Sequence, residues 1–537
     1  MGESNYFDNL QYNSCISKGI CSINPRISAL QNVLVLYIQL SVKYCIKLHE
    51  KNSLKPYIIE FILNTIATSV YNPEFTENRF ILTIADFKKI LPAIINDYNE
   101  LYNQNDFQGE NILSAKLFNK CENIVDAIKF GEYIYKTNLA NIPPQTRDLF
   151  QILLIITKSI SINLLEIESY ISNSDFEKYQ SSDKLKDAFS TLLKILSSIN
   201  TKDFNNENLK EAAYMGAECN TKLMELLHAE QEKRYGKQTI AKISYATTPS
   251  KAVLVVGSNI RELETILEAL KNTNIDIYTH DDMMIAHTFP KFKEYKNLKG
   301  QYGHGLENCL IDFATFPGPI ILTKHALHNV ENLYRGRLFT TDSNYYKGMI
   351  KIENNDYSKI IESANEAKGF KTGKTCENVN IGYDYDKCIE LIEKNLKSGK
   401  YKKVVVFGIK DYSSQQKAYF EKLTKLISKK ILIISFSYNS KQDNLLYFNT
   451  CFDSFAVVRI VSYLLNYNIP LDIFLPKCSR NTVTEMIHFG KNKKNNVYMS
   501  ECKPILINPS IINTLTDTFS IKVTGAVRQN AEIVNKL

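Results

Sequence analysis

The feature that most constrains this chain is a change of hydrophobic period near Thr247-Thr248-Pro249. Before that point apolar residues recur at helical spacing. After it, short β-branched runs end at glycine and alternate with helical stripes. A chain carrying both periods divides into an α part and an α/β part. Its 537 residues also exceed what one hydrophobic core supports.

In the first part, Ile27, Leu30, Leu34, Tyr37 and Ile38 start a stripe that Val42, Cys45 and Leu48 continue. Similar stripes run over Leu54–Val70, Phe87–Tyr102, Ile112–Tyr135, Thr146–Ile171 and Leu185–Ser198. Pro143-Pro144 and Asp203–Asn206 break the pattern. Long stripes joined by short polar loops predict a helical bundle over residues 1–245.

In the second part, Ala252–Val256 reads as a strand ending at Gly257-Ser258, followed by a helix through Leu263, Ile266, Leu267 and Leu270 and a strand over Ile275–Tyr278. Pro319–Leu322 adds another strand. A polar stretch near Asn365–Glu377 precedes a second unit of the same plan. There Val404–Phe407, Ile431–Ser435, Ile473–Leu475 and Val497–Met499 read as strands and Cys451–Leu465 as a helix. Strand–helix–strand units build parallel sheets. The predicted architecture is multi-domain, α and α/β: an N-terminal helical bundle followed by two Rossmann-like parallel α/β domains over 246–370 and 371–537.

Charge and cysteine usage remove several classes of function. The net charge of +8 is small for the length, and the densest basic run, Lys491, Lys493 and Lys494, is broken by asparagines. No basic face with aromatic platforms is visible, so nucleic acid is not an expected partner. The first twenty residues are polar, which predicts no export signal. The most apolar run, Leu149–Ile171, is interrupted by Lys158, Asn163, Glu166 and Glu168 and reads as a buried helix, not a membrane span. Eleven scattered cysteines form no disulfide framework and fit a reducing, cytoplasmic location.

Ligands of open parallel sheets bind beyond the carboxyl ends of the strands. The first α/β domain offers Gly257-Ser258-Asn259, Thr279-His280-Asp281-Asp282 and Thr323-Lys324-His325-Ala326 at those ends; the second offers Gly408-Ile409-Lys410-Asp411 and Ser435-Phe436-Ser437. Ser258, His280, His325 and Lys410 are therefore the cleft candidates. Five of the eight histidines fall between His280 and His328, with Asp281-Asp282 among them. Imidazole with carboxylate suits iron or zinc, but the spacing matches no tight metal motif, and capping, turn or packing histidines account for it better. Gly257-Ser258-Asn259 is neither a dinucleotide fingerprint nor a phosphate loop.

At these residues the chain resembles the hybrid-cluster (prismane) proteins, known as hydroxylamine reductases and related to the carbon monoxide dehydrogenases. Tyr278-Thr-His-Asp-Asp-Met-Met-Ile-Ala-His-Thr-Phe-Pro290 is similar to the family's Y-T-H-G-E-M-L-P-A-H-x-Y-P. Gln301-Tyr-Gly303, Phe316-Pro-Gly-Pro-Ile320, Arg337-Leu-Phe-Thr-Thr341 and Ile507-Asn-Pro-Ser-Ile follow in the family's order. The resemblance spans nearly the whole chain and implies a helical domain followed by two Rossmann-like domains.

It also implies where a cluster would be held. The family's four-iron hybrid cluster takes one His, two Glu and four Cys, one of the Cys often carrying an extra sulfur. Along the family's motifs, Ser258 stands for the histidine, Asp282 for the first glutamate, and Ala326, Lys410 and Phe436 for three cysteines. Cys451 keeps the fourth cysteine, and the second glutamate falls near Ser479. Asp282 and Cys451 are thus the retained or near-retained metal positions. Of the family's four N-terminal cluster cysteines, the resemblance leaves Cys15 and Cys21. Two chains could supply four thiolates to one shared iron–sulfur cluster.

Three functions compete. The first is a degenerate family member without the parent reductase activity, acting as a partner or ligand-binding scaffold, in a homodimer or beside a complete family member. The second is an enzyme with a rebuilt site drawing on His280, Asp282, His287, His325, Lys410 and Cys451. The third is a conventional reductase of hydroxylamine or nitric oxide, with a cluster held by Cys309, Cys451 and Cys478; a family redox enzyme with a rebuilt or reduced iron–sulfur site stands between the last two.

Overall fold

The computed structural model describes residues 25–69, 77–102, 119–171, 182–303, 309–324, 326, 336–342, 345, 348–376, 378–409, 414–436, 438–450, 454–467, 469–476, 481–499 and 509–536. The chain packs into two compact units. One comprises Met1–Met224, Ser479–His488 and Lys503–Ser520; the other comprises Glu225–Cys478, Phe489–Cys502 and Ile521–Leu537.

The first unit is helical. Its helices are α1 (Pro25–Glu50), α2 (Pro56–Ser69), α3 (Glu77–Tyr102), α4 (Ile124–Ile134), α5 (Pro144–Ile171), α6 (Asp183–Ser198) and the first turns of α7 (Asn206–Tyr235). Proline stands at the first position of α1, α2 and α5, where its missing N–H costs nothing and its fixed φ favours the turn. Pro143-Pro144 therefore starts a helix as well as breaking the chain. Asn123 caps α4 by accepting from the N–H groups of Val125 and Asp126 at 3.0 Å.

Two helices, α1 and α5, are long and apolar enough to cross a membrane by length and composition. The most apolar 18-residue window of α5 is 83% buried inside the protein and that of α1 56%, as the polar interruptions of α5 predict. Buried polar groups in this unit are satisfied in networks. Asn163 donates to Asn220 at 2.9 Å, and Asn220 donates to Asn481 at 3.2 Å and Thr484 at 2.9 Å. The Asp148 carboxylate accepts from Ser510 and Thr514.

The second unit holds two six-stranded sheets. The first takes the order β4 (Leu298–Gln301), β3 (Ile275–His280), β2 (Lys251–Val256), β5 (Ile320–Leu322), β6 (Leu338–Thr340), β7 (Ile350–Lys351), every pair parallel. The second takes β11 (Leu445–Tyr447), β10 (Ile431–Ser435), β9 (Lys403–Phe407), β12 (Leu471–Leu475), β13 (Asn496–Met499), β14 (Lys522–Val523), again all parallel. A short antiparallel ribbon joins β1 (Ala241–Ile243) to β8 (Val379–Ile381).

Both sheets are doubly wound. The chain lays three strands outward in one direction, then returns to the centre and lays three in the other. The order reverses between β2 and β5 in the first sheet and between β9 and β12 in the second. A crevice opens at such a switch point, beyond the carboxyl ends of the strands. Strands β9, β10 and β12 are buried along their whole length. That is why Val404–Phe407 and Ile431–Ile434 read as continuous apolar runs and not as alternating ones. Around the first sheet, Leu254, Val256, Tyr278, Phe313, Phe316, Ile320 and Leu338 form one buried cluster.

Candidate functional site

The register of the first sheet brings His280, Val256, Leu322 and Thr340 into one row at its carboxyl edge. The loops that follow these residues form the crest. Helix α8 (Ile260–Leu270) starts there, capped by Asn259, which accepts from Glu262 N at 3.1 Å.

The switch-point crevice lies between Gly257 and the turn after β5. Gly257 has φ +126°, and a Cβ built on it would stand 2.2 Å from Thr323 Oγ1 and 2.6 Å from the Ala326 methyl. Thr323 in turn donates its backbone N–H and its hydroxyl to Val256 O, at 3.1 and 2.9 Å. The floor of the crevice is thus closed by Thr323 and by Ala326, itself 5% exposed. Ser258 stands beside it, part-buried.

Glu262 links three loops of the crest. Its Oε2 accepts from Lys324 N at 3.0 Å and Thr341 Oγ1 at 2.6 Å, and its Oε1 lies 4.0 Å from Lys324 Nζ. Burial pushes this carboxyl above the usual carboxylate range, against the opposing pull of Lys324 and Thr341.

His280 ends β3 fully buried. Its Nε2 lies 3.0 Å from Asp312 Oδ2 on α9 (Cys309–Thr315), and Phe313 meets its ring edge-on at 5.4 Å. A carboxylate at Nε2 places the proton there and leaves Nδ1 with a lone pair. Among the described residues Nδ1 has no hydrogen-bond partner.

The next residue, Asp281, has φ +58°. The resemblance places a glycine at this position, and the backbone explains why: only glycine adopts that region without cost. Here Gln301 holds it. With its amide nitrogen turned to Thr279, the Gln301 oxygen accepts from Asp281 N at 3.1 Å, while the nitrogen donates to Thr279 Oγ1 at 2.6 Å and Thr279 O at 3.0 Å. The Thr279 hydroxyl is then free to donate to His287 Nε2 at 2.9 Å. Burial lowers the His287 pKa to about 4, so the ring is neutral and accepts. Asp282 follows, part-buried, at the start of a 3-10 turn.

In the second sheet Gly408 follows β9 and donates its N–H to Phe474 O on β12 at 2.8 Å, across the second switch point. Phe436 follows β10, fully buried, with Phe448 as a ring neighbour at 6.1 Å.

Of the residues expected to carry chemistry, Ser258, His280 and Asp282 thus follow or end the adjacent strands β2 and β3. His325, Lys410, Cys451, Cys15 and Cys21 lie outside the described residues. Among the described residues no group of three or more His, Cys, Asp or Glu could hold a metal ion.

Sequence reasoning missed Asp312 and Glu262, and it named Gln301 and Thr323 only within motifs, without a role. One signal was available: Asn259-Ile-Arg-Glu262 is a helix-start pattern that places Glu262 on the crest. No local signal pairs Asp312 with His280, because the pairing spans thirty-two positions and depends on the packing of α9.

Residues 11–439 match the sequence profile of the Prismane/CO dehydrogenase family. The chain is similar to a hydroxylamine reductase of Acidiphilium cryptum (strain JF-5), 22% identical over 531 residues covering 95% of this chain and 94% of that one. It is also similar to a hydroxylamine reductase of Rippkaea orientalis (strain PCC 8801 / RF-1), 24% identical over 550 residues and 95% of each chain. Among solved structures, an acetyl-CoA synthase/carbon monoxide dehydrogenase with NiZn[Fe4S4] and NiNi[Fe4S4] clusters aligns over 97% of this chain and 83% of that one. The identity is 11% and the TM-score 0.44.

Proposed function

The chain belongs to the Prismane/CO dehydrogenase family, and from that premise we propose that it is a hydroxylamine reductase-like protein without a standard hybrid cluster and without the parent reductase activity, acting as a partner or ligand-binding scaffold. The observation that carries this reading is the pair Ala326 and Phe436. Both are buried, and both stand where the resemblance expects thiolate ligands. Cluster iron takes thiolate, imidazole or carboxylate. A methyl and a phenyl ring offer none of these, and Ser258 offers a neutral hydroxyl. Asp282 supplies a carboxylate but reaches less far than the family's glutamate. This donor set does not fit a hybrid cluster.

The N-terminal thiols carry a separate proposal: Cys15 and Cys21 of two chains together hold one iron–sulfur cluster at a homodimer interface. A complex with a complete family member is the alternative assembly, and the cytoplasm is the proposed location.

Iron and acid-labile sulfide per chain, measured after strictly anaerobic purification together with an absorption spectrum and a hydroxylamine reduction assay, test the reading. The expected result is less iron than one four-iron cluster per chain and reduction at background. Cluster-level iron in each chain with turnover would overturn it.

A second reading, a redox enzyme of the family with a rebuilt or reduced iron–sulfur site, draws on one observation. His280 is held by Asp312 with its Nδ1 lone pair buried and without a partner among the described residues. A carboxylate behind an imidazole is the usual support of a metal-ligating histidine. On this reading His280→Gln lowers iron content; on the first it leaves iron unchanged.

A further inference from the structure

Helix α8 carries a cluster that the crest does not use. The Glu264 carboxylate, its side chain 4% exposed, accepts from Arg234 Nε at 2.7 Å, Arg261 Nη1 at 2.6 Å and Tyr235 Oη at 3.0 Å on one oxygen. On the other oxygen it accepts from Arg234 Nη2 at 3.1 Å and Lys291 Nζ at 2.6 Å. Its acceptor capacity is saturated. Against burial, which would push it up, the hydrogen bonds and charges of Arg234, Lys291 and Arg261 hold its pKa at about 2.

One carboxylate does not balance this cluster. Three cations, Arg234, Arg261 and Lys291, face a single acid, so three positive charges less one negative leave a net +2. Among the described residues none of the three has another ion-pair partner. Their side chains are 32%, 27% and 33% exposed, so each reaches solvent while its charged end is fixed from below. Both guanidiniums and the ammonium keep N–H groups that Glu264 does not take. Fixed like charges repel, and a second anion relieves that repulsion. Two planar guanidinium forks and one compact ammonium, converging from three segments, suit an oxyanion that offers several acceptor oxygens, as phosphate does.

We propose that Arg234, Arg261 and Lys291 form an oxyanion site for a phosphate-type dianion, with Glu264 as the internal counter-ion that positions the three cations and competes with the ligand. Inorganic phosphate and the phosphate group of a larger molecule share the chemistry.

Isothermal titration of the full chain at low ionic strength, with inorganic phosphate and AMP as probes, tests the proposal. Phosphate is expected to bind with a dissociation constant of about 1 mM or below. The double variant R261Q/K291Q weakens binding at least about tenfold. E264Q removes the competitor and tightens binding severalfold, an effect that a merely structural ion-pair network would not produce. Tighter AMP than phosphate assigns the site to a phosphate ester; equal or weaker AMP assigns it to the free anion. Absence of phosphate binding, or binding unaltered in R261Q/K291Q, overturns the proposal. R261Q/K291Q removes only part-exposed groups, so its result decides the matter if E264Q fails to fold.

Discussion

At the scale of single residues, Asp281 and His287 sit in one hydrogen-bonded chain through Thr279 and Gln301, and each makes a measurable prediction. Asp281 holds a left-handed backbone that glycine would hold without strain. Asp281→Gly should therefore raise stability by about 0.5–1 kcal/mol, as far as relief of strain exceeds the added freedom of the unfolded chain. Urea denaturation checks this. His287 is held at about 4 by burial, below the value near 6.5 of an unfolded histidine. The unfolded chain then binds a proton that the native chain refuses between those values. Stability is fully present above about pH 6.5 and falls as the pH drops toward 4, by on the order of 3 kcal/mol. A thermal melt at pH 7 and pH 5 should show this loss, and His287→Gln should flatten it. Little of this was legible beforehand. The histidine-rich stretch was visible, but burial, which decides whether a histidine titrates or merely accepts, is not a property of spacing.

Among elements, strands and helices were legible in proportion to how strongly their apolar pattern stood out. The runs Ala252–Val256, Val404–Phe407 and Ile431–Ser435 coincide with strands β2, β9 and β10, because central parallel strands are apolar on both faces. The short strands β4, β6, β7, β11 and β14 were not foreseen. Two to four residues carry too little pattern, and pairing with a neighbour defines them. Helix α7 was missed for another reason. Its buried face mixes Leu209, Met224 and Leu227 with the small or polar Ala213, Ala217, Asn220, His228 and Gln231, which dilute the apolar stripe.

A polar pair was hidden in the same way inside the second sheet. Lys403 on β9 and Asp472 on β12 lie 2.7 Å apart, 5% and 0% exposed, and Lys403 also donates to Val534 O at 2.9 Å at the end of α10 (Val527–Val534). Lys403→Met leaves Asp472 buried without its cation and should cost about 3–5 kcal/mol. The double variant K403M/D472L should recover most of that loss in the same urea titration. A double variant as unstable as the single one would show that the pair does more than neutralise its own burial.

For the whole molecule, the ordered series of motifs, from Tyr278–Pro290 through Ile507, placed the chain in its family before any packing was considered. The shared cluster belongs to this scale, since it needs two chains. On that proposal the anaerobically purified protein runs as a dimer by sedimentation, and Cys21→Ser removes its iron and sulfide. An iron-free wild-type dimer would sink the idea of a shared cluster and turn attention to metal-free partners. Lys410, His325 and Cys451 belong to the same question, and mutating each with iron content as the readout separates the scaffold from a rebuilt site.

The sequence by itself determined the change from bundle to sheets, the strands at the centre of each sheet and the family. These rest on local periodicity and on motifs that neighbouring residues fix. Only the tertiary structure decided the strand order that puts Gly257 and Ala326 across one switch point and His280 one strand away. It alone paired His280 with Asp312 and set three cations on Glu264. These pairings join residues far apart in the chain, and the free energy that selects them comes from burial and hydrogen bonding across packed elements, which no local stretch of sequence encodes.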